Sequence, residues 1–410
     1  MPRNIIGAPA DGDDFFDRER ELADLLHKLQ NGNHILLKAP RRVGKTSLLH
    51  RVRDVGPTHG IVANYTSVGD LYSEGAFVNR VFSCLVEDLS TADRLLARLK
   101  RAGSGFFEWV SNLPDRVDEL AIRELKVKLR ASVPANWRTA GDELLSALVA
   151  VDDPRVRVLI VDELPVFIAN LLLEDPTQRR ARTFLQWFRG VRQEVPTTGS
   201  IRWVAAGSIG IDRMALRLRL VDTVNDFQPY PLGAFSHLNA LNFLQALADT
   251  EKLTLSPQVA EEICDQVQWL IPYYLQMLFG AVRDLSRAHG IEPTRSLVSD
   301  AFEELLGEDY RIQFDHWSAR LEDTLNPADV RAAKRMLTLA AVSDREVTAE
   351  DLATALPDGD STDDEFDERL NRLLDVLSSD GYLIERDGRW GFRSPLLKGY
   401  WRRRYPRSRV

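Results

Sequence analysis

The stretch Ile35-Leu36-Leu37-Lys38-Ala39-Pro40-Arg41-Arg42-Val43-Gly44-Lys45-Thr46-Ser47 decides the fold of this chain. A short apolar run leads into a loop with Pro40 and Gly44, and Leu48-Leu49-His50-Arg51-Val52 follows with helical spacing. Strand, phosphate loop and helix in that order predict a Walker A site for a nucleoside triphosphate. Backbone N–H groups of the loop and of the helix start must wrap the phosphates, which makes Ala39, Pro40, Arg41, Arg42, Val43, Gly44, Lys45, Thr46 and Ser47 the nucleotide-binding set. Lys45 is expected to reach the β/γ oxygens, and the Thr46 hydroxyl to ligand Mg²⁺. Gly44 lets the backbone come close to the phosphates. Ala39 stands where the pattern has its first Gly, so the turn must tolerate a Cβ there. Arg41 and Arg42 fill the variable part of the loop and are expected to face outward or toward another domain.

A second apolar run, Arg157-Val158-Leu159-Ile160-Val161, ends in Asp162-Glu163 about 115 residues further on. That is a Walker B pattern: Asp162 holds Mg²⁺ through water, and Glu163 orients and deprotonates the attacking water. Asp followed by Glu marks the branch of P-loop proteins that inserts a strand between the two Walker strands. The expected cofactors are therefore ATP and Mg²⁺, and the expected activity is hydrolysis to ADP and phosphate.

The chain has 410 residues, 44% hydrophobic and 28% charged, with net charge −8, which gives two or three domains and an ample core. No apolar stretch approaches the roughly eighteen residues of a membrane span, and Met1-Pro2-Arg3-Asn4 opens no signal peptide, so a cytoplasmic protein is expected. Two cysteines, Cys84 and Cys264, cannot build a disulfide framework, and the seven histidines show no metal-ligand spacing.

Between the Walker motifs, Gly60 to Thr66 predicts a strand and Ser73 to Lys100 a long helix. Leu125, Val127 and Leu129 alternate with Lys126, Lys128 and Arg130, the period of a half-buried strand. Trp137 to Val149 and Thr177 to Glu194 are helical in spacing, Ile201 to Ala206 reads as the next strand, and Thr223 to Phe227 as the last. Ser208, at the tip of the strand beside Walker B, reads either as a sensor of the γ-phosphate or as turn chemistry. Arg217 and Arg219 precede the last strand, where an arginine finger could reach a neighbouring subunit's nucleotide; solvated arginines on an amphipathic helix are the alternative.

Phe16-Asp17-Arg18-Glu19-Arg20-Glu21-Leu22, the Pro-Arg-Arg-Val-Gly-Lys-Thr-Ser loop, Asp162-Glu163, Gly207-Ser208 and Pro231-Leu232 together resemble the archaeal-type ATPases, which stand with the signal-transduction ATPases with numerous domains (STAND) and are related to the AAA+ proteins. The resemblance covers nearly the whole chain. It implies an α/β P-loop core of parallel strands between helices, then a helical lid and a winged helix, with Phe16, Arg18 and Glu19 near the adenine. The expected domains are residues 1–235 with an insertion around 70–150, the lid at 236–325, and the winged helix with a basic tail at 326–410. The family's Gly-x-Pro lid element is matched only in part: Trp269-Leu270-Ile271-Pro272 keeps the Pro, which either contacts the base or simply starts a helix.

In the C-terminal region Asp387-Gly388 predicts a hairpin turn between alternating residues. The third helix of the winged-helix pattern carries Glu365, Asp367, Glu368 and Asp375, which would repel a phosphate backbone. Arg402, Arg403, Arg404, Arg407 and Arg409 crowd the end, interleaved with Tyr400, Trp401 and Tyr405. Such a tail either contacts nucleic acid or docks on protein. The sequence reading is a slow, regulated Mg²⁺-dependent ATPase whose nucleotide state controls contact with an unidentified protein partner, with self-association open and no membrane contact. Its alternatives are a DNA-binding initiator-like or defence-associated ATPase, and a module that works by nucleotide occupancy without turnover.

Overall fold

The computed structural model describes residues 1–87, 89–102, 122–123, 126–127, 136–151, 153–193, 201–207, 210–356 and 363–405. The chain forms two compact units, one of residues 18–39 and 45–232, the other of residues 1–17, 40–44 and 233–410. Residues 1–17 and 40–44 thus group with the C-terminal half, where the sequence reading kept 1–235 in one piece. Side chains explain this: the Phe16 ring lies 5.2 Å from that of Phe243 and 6.4 Å from that of Phe235. The Arg42 guanidinium likewise sits 4.7 Å from the Tyr273 ring.

The first unit is built on five parallel strands, β1 His34–Lys38, β2 Ile61–Ser67, β3 Val156–Asp162, β4 Ile201–Gly207 and β5 Phe227–Pro231, in the order β2-β3-β4-β1-β5. A parallel sheet is covered on both faces, and the continuous apolar runs of β1 and β3 answer to that: Ile35, Leu36, Leu37 and Val158 to Val161 are all buried. β4 lies between the Walker strands β1 and β3, as the Asp162-Glu163 pair predicts. The helices are α1 Glu19–Gln30, α2 Lys45–Val55, α3 Glu74–Leu85, α4 Leu89–Ala102, α5 Trp137–Val149, α6 Leu164–Glu174, α7 Arg179–Gln193 and α8 Ile211–Arg217. Phe77, Phe167, Phe184, Phe188 and Trp203 interlock under one face of the sheet, with Phe184 stacked 5.7 Å from Phe188 and Trp203 edge-on at 5.0 Å. Each such buried ring contributes roughly 1.5–3 kcal/mol.

Several elements differ from the sequence reading. The helix expected over 73–100 breaks into α3 and α4 around Val86. Helix α6 begins directly after Glu163, inside an apolar run that shows no clear period. The last strand is Phe227–Pro231, and Thr223 belongs to a 3₁₀ turn instead. Pro229 and Pro231 argue against a strand, but β5 is the sheet edge, where a missing N–H costs no ladder bond. Of the alternation at 125–130, only Lys126 and Val127 are described, and they are helical; the rest lies outside the described residues.

The second unit carries α9 His237–Glu251, α10 Pro257–Val267, α11 Pro272–His289, α12 Arg295–Leu305 and α13 Ile312–Thr324. Ser236, Ser256 and Thr294 start three of these by accepting from the N–H three residues on. Then come α14 Pro327–Val342, the short strand β6 Val347–Thr348, α15 Ala349–Ala353, α16 Asp363–Ser379, and the hairpin β7 Leu383–Arg386 and β8 Arg389–Phe392. Asp387 and Gly388 both have positive φ, as a two-residue hairpin turn requires. β6 completes a small antiparallel sheet in the order β6-β8-β7. The basic end is a helix, α17 Pro395–Arg404, which the sequence reading had as a tail. Helix α13 and the C-terminal elements share one core: Tyr382 donates to the Trp317 carbonyl at 2.6 Å, and Phe314 stacks on Tyr400 at 5.2 Å.

Candidate nucleotide site

Parallel sheets present ligand-binding loops at the carboxyl ends of their strands. β1 ends at Lys38 and β3 at Asp162, so Ala39 and the two Walker carboxylates emerge from that edge. Gly44 has φ +93°, which a side-chain-bearing residue rarely adopts; a Cβ there would meet no atom within 4 Å, so the backbone angle alone requires glycine. Ala39 is buried, and the turn accommodates its Cβ. Helix α2 starts at Lys45, and its own first turn holds no acidic residue to offset the positive end of the helix dipole.

In the sheet unit, Lys45 and Asp162 are nearly fully buried, at 8% and 2% exposure. The Lys45 ammonium donates to Asp162 Oδ1 and lies 3.2 Å from Glu163 Oε1. Asp162 Oδ1 also accepts from the Glu163 N–H at 2.8 Å. Its Oδ2 accepts from the Thr46 hydroxyl at 3.0 Å and from the Tyr65 phenol at 3.2 Å. Burial works against the charge on Asp162, yet Lys45, Thr46 and the Glu163 N–H more than offset it, and its carboxyl sits below the usual range. Glu163 takes a left-handed backbone (φ +59°) at the start of α6, and its Oε2 is buried with no partner among the described residues. Gly69 makes room for it, since a Cβ on Gly69 would stand 3.0 Å from Glu163 Cβ. Asn170 of α6 fixes that segment by donating to the carbonyls of Gly69 and Leu71, both at 3.0 Å.

These residues fit a magnesium nucleotide. A lysine, a hydroxyl and two carboxylates meet at the start of a helix whose own first turn carries no acid, and one carboxylate oxygen without a partner among the described residues is available to a water. Tyr65 escaped the sequence reading; the only signal was the polar run Asn64-Tyr65-Thr66 at the end of an otherwise core strand.

The remaining predicted residues are spread. In the second unit Arg42 (φ +68°) donates to the Gly7 carbonyl at 3.0 Å besides covering Tyr273. Pro272 is the first residue of α11, and Phe16 is packed among phenylalanines. Arg18 pairs with Glu21 at 2.8 Å, while Glu19 is exposed at the start of α1. Ser208 and the Arg217 side chain lie outside the described residues, and Arg219 is exposed with φ +54°. At the C-terminus Trp401 and Tyr400 point into the core, and Arg402, Arg403 and Arg404 are exposed, with Arg403 paired to Glu303. Arg407 and Arg409 lie outside the described residues. Glu365, Asp367 and Glu368 are exposed on α16, whereas Arg369 and Arg372 of the same helix hold the buried Asp329 at 2.8 and 3.0 Å.

The strand order, the strand between the Walker strands and the meeting of Lys45 with Asp162 and Glu163 define an α/β P-loop fold of the AAA+ type followed by a helical region. The fold is similar to that of a Walker-type ATPase of Pyrococcus abyssi, at 16% identity and a TM-score of 0.61, over 97% of this chain and 99% of that one. It is also similar to the Aeropyrum pernix ORC2 protein in its ADPNP–ADP complexes, at 15% identity and a TM-score of 0.54, over 95% of each chain. No family model matches the sequence, nor does any curated protein. Of the fold implied by the resemblance to archaeal-type ATPases, the α/β P-loop core of parallel strands between helices, followed by a helical region, is found.

Proposed function

We propose that this chain binds ATP with Mg²⁺ and hydrolyses it slowly, and that its nucleotide state controls contact with a protein partner. The observation that carries this reading is the buried Oε2 of Glu163, which has no partner among the described residues, while Oε1 of the same carboxylate lies 3.2 Å from the Lys45 ammonium. A carboxylate so placed can accept a proton from water.

Thr46 would hold the metal directly and Asp162 through water. Bound there, Mg²⁺ supplies positive charge to the β- and γ-phosphate oxygens. Lys45 shifts from the carboxylates to the phosphates, and the N–H groups at the start of α2 bind them in addition. Glu163 orients the attacking water and takes its proton as the new P–O bond forms and the bond to the β–γ bridging oxygen breaks, giving ADP and phosphate. Phe16, Arg18, Glu19 and Pro272 are assigned to the adenine end, Ser208 to sensing the γ-phosphate, and Arg217 or Arg219 to a neighbouring copy's nucleotide if the protein self-associates.

Residues 326–410 are read as a winged helix that meets protein in the cytoplasm, because the exposed acids of α16 oppose groove insertion. Among the described residues no helix is long and apolar enough to cross a membrane. The deciding variant is Glu163→Gln, which keeps the side chain's shape and removes the base. Phosphate release should fall at least about a hundredfold with ATP binding preserved. Normal steady-state hydrolysis by that variant overturns the catalytic role. Should the wild-type protein bind ATP and release no phosphate, occupancy alone would be the working principle.

A further inference from the structure

Among the described residues Asp162 accepts four hydrogen bonds, and they fall into two classes once a nucleotide is considered. Lys45 and Thr46 are the donors that a nucleotide and its metal would draw away, since both groups have partners there in the reading above. The Glu163 N–H on Oδ1 and the Tyr65 phenol on Oδ2 have no such second duty. They hold opposite oxygens of one carboxylate, and so fix its plane.

The phenol is itself held. Tyr65 lies on β2 in parallel register with β3, with Ser67 opposite Asp162. The His50 ring of α2 meets the Tyr65 ring edge-on, with centroids 4.5 Å apart and planes at 88°.

We propose that Tyr65 is a positioning residue for ATP hydrolysis, holding Asp162 in the orientation that receives the metal when Lys45 and Thr46 turn to the nucleotide. The inference rests on the nucleotide-site reading above. Partners that orient a metal-binding carboxylate commonly change metal affinity or activity by about 10–100-fold when removed. Tyr65→Phe deletes only the hydroxyl and leaves the ring against His50.

The experiment uses the full chain with ATP and Mn²⁺ as the probe, reading Mn²⁺ affinity by electron paramagnetic resonance and ATP binding without metal by calorimetry. Tyr65→Phe should bind Mn²⁺ about tenfold more weakly in the presence of ATP and lose kcat by a similar factor. Metal-free ATP affinity and the KM for ATP should stay within about twofold of wild type, a split that a general loss of structure would not give. His50→Leu keeps the hydroxyl but loosens the ring, and should give the same pattern at about threefold. Mn²⁺ affinity and kcat both at wild-type level in Tyr65→Phe overturn the inference while leaving the site intact. Failure of the wild-type chain to bind ATP or Mn²⁺ would instead remove the nucleotide-site reading, and this inference with it.

Discussion

The ends of β1 and β3 and the C-terminal helix α17 are both rich in charge, and they treat it in opposite ways. In the sheet unit Lys45 and Asp162 are buried and paired with each other, while the apolar residues around them serve as walls. Along α17 the arginines face water and the aromatic residues are inside, with Trp401 at 0% exposure. Burying ions costs several kcal/mol each before pairing recovers it, whereas an exposed ion pair such as Arg403 with Glu303 is worth about 0–1 kcal/mol. The difference teaches that the position of a charge, and not its density in the sequence, marks a site. Residues 393–410 hold more arginine than any part of the Walker motifs, yet Pro395–Arg404 is arranged as an ordinary packed helix.

The contrast breaks first if the aromatic residues of α17 are not core. Trp401 lies 4.8 Å from the Tyr405 ring, 6.3 Å from those of Tyr400 and Tyr382, and its Nε1 donates to the Thr338 hydroxyl at 3.4 Å. Trp401→Ala should therefore cost about 3–5 kcal/mol of stability, read from urea unfolding. A loss below about 1 kcal/mol would mean that the indole is free to stack on a base.

At the other pole, Lys45→Ala removes an ammonium that faces both Walker carboxylates. Charge-assisted hydrogen bonds contribute about 1.5–3 kcal/mol each, so ATP affinity should fall by about a hundredfold. An unchanged affinity in a nucleotide titration would refute the Walker A assignment and erase the distinction between the two regions.

How much of this was legible in the sequence follows the range of the interactions. The phosphate loop is specified by nine consecutive residues whose backbone angles and side chains act locally, so Ala39 to Ser47 could be read directly. The inserted strand β4 followed from Asp162-Glu163, because that pair accompanies one sheet order. Tyr65 could not be found this way: its role depends on the register of β2 against β3 and on how α2 places His50, neither of which is written near residue 65. Helix α6 was hidden because it is apolar on nearly every side, and β5 because its prolines are tolerated only at an edge. The C-terminal helix was hidden by composition, its basic residues drawing attention from Pro395, which starts it at a position where the missing N–H has no cost.

The smallest effect expected is also the one that separates a nucleic-acid effector from a protein-binding switch. Arg402, Arg403 and Arg404 project from α17 into water, so reversing all three to Glu should change stability by no more than about 1 kcal/mol and leave basal ATP hydrolysis as it is. Deleting the segment would be a poorer test, since it would also remove Trp401 and Tyr400 from the core. If these arginines touch phosphates, binding to a single strand should weaken steeply with salt, with a log–log slope of about −0.7 for each phosphate contacted. With the aromatic residues turned inward and acids exposed on α16, only low-affinity binding without sequence preference is expected, and the reversed variant should lose it. A tight, sequence-specific complex that survives physiological salt and vanishes on charge reversal would show instead that exposed charge on α17 forms a site as specific as the buried charge beside Lys45.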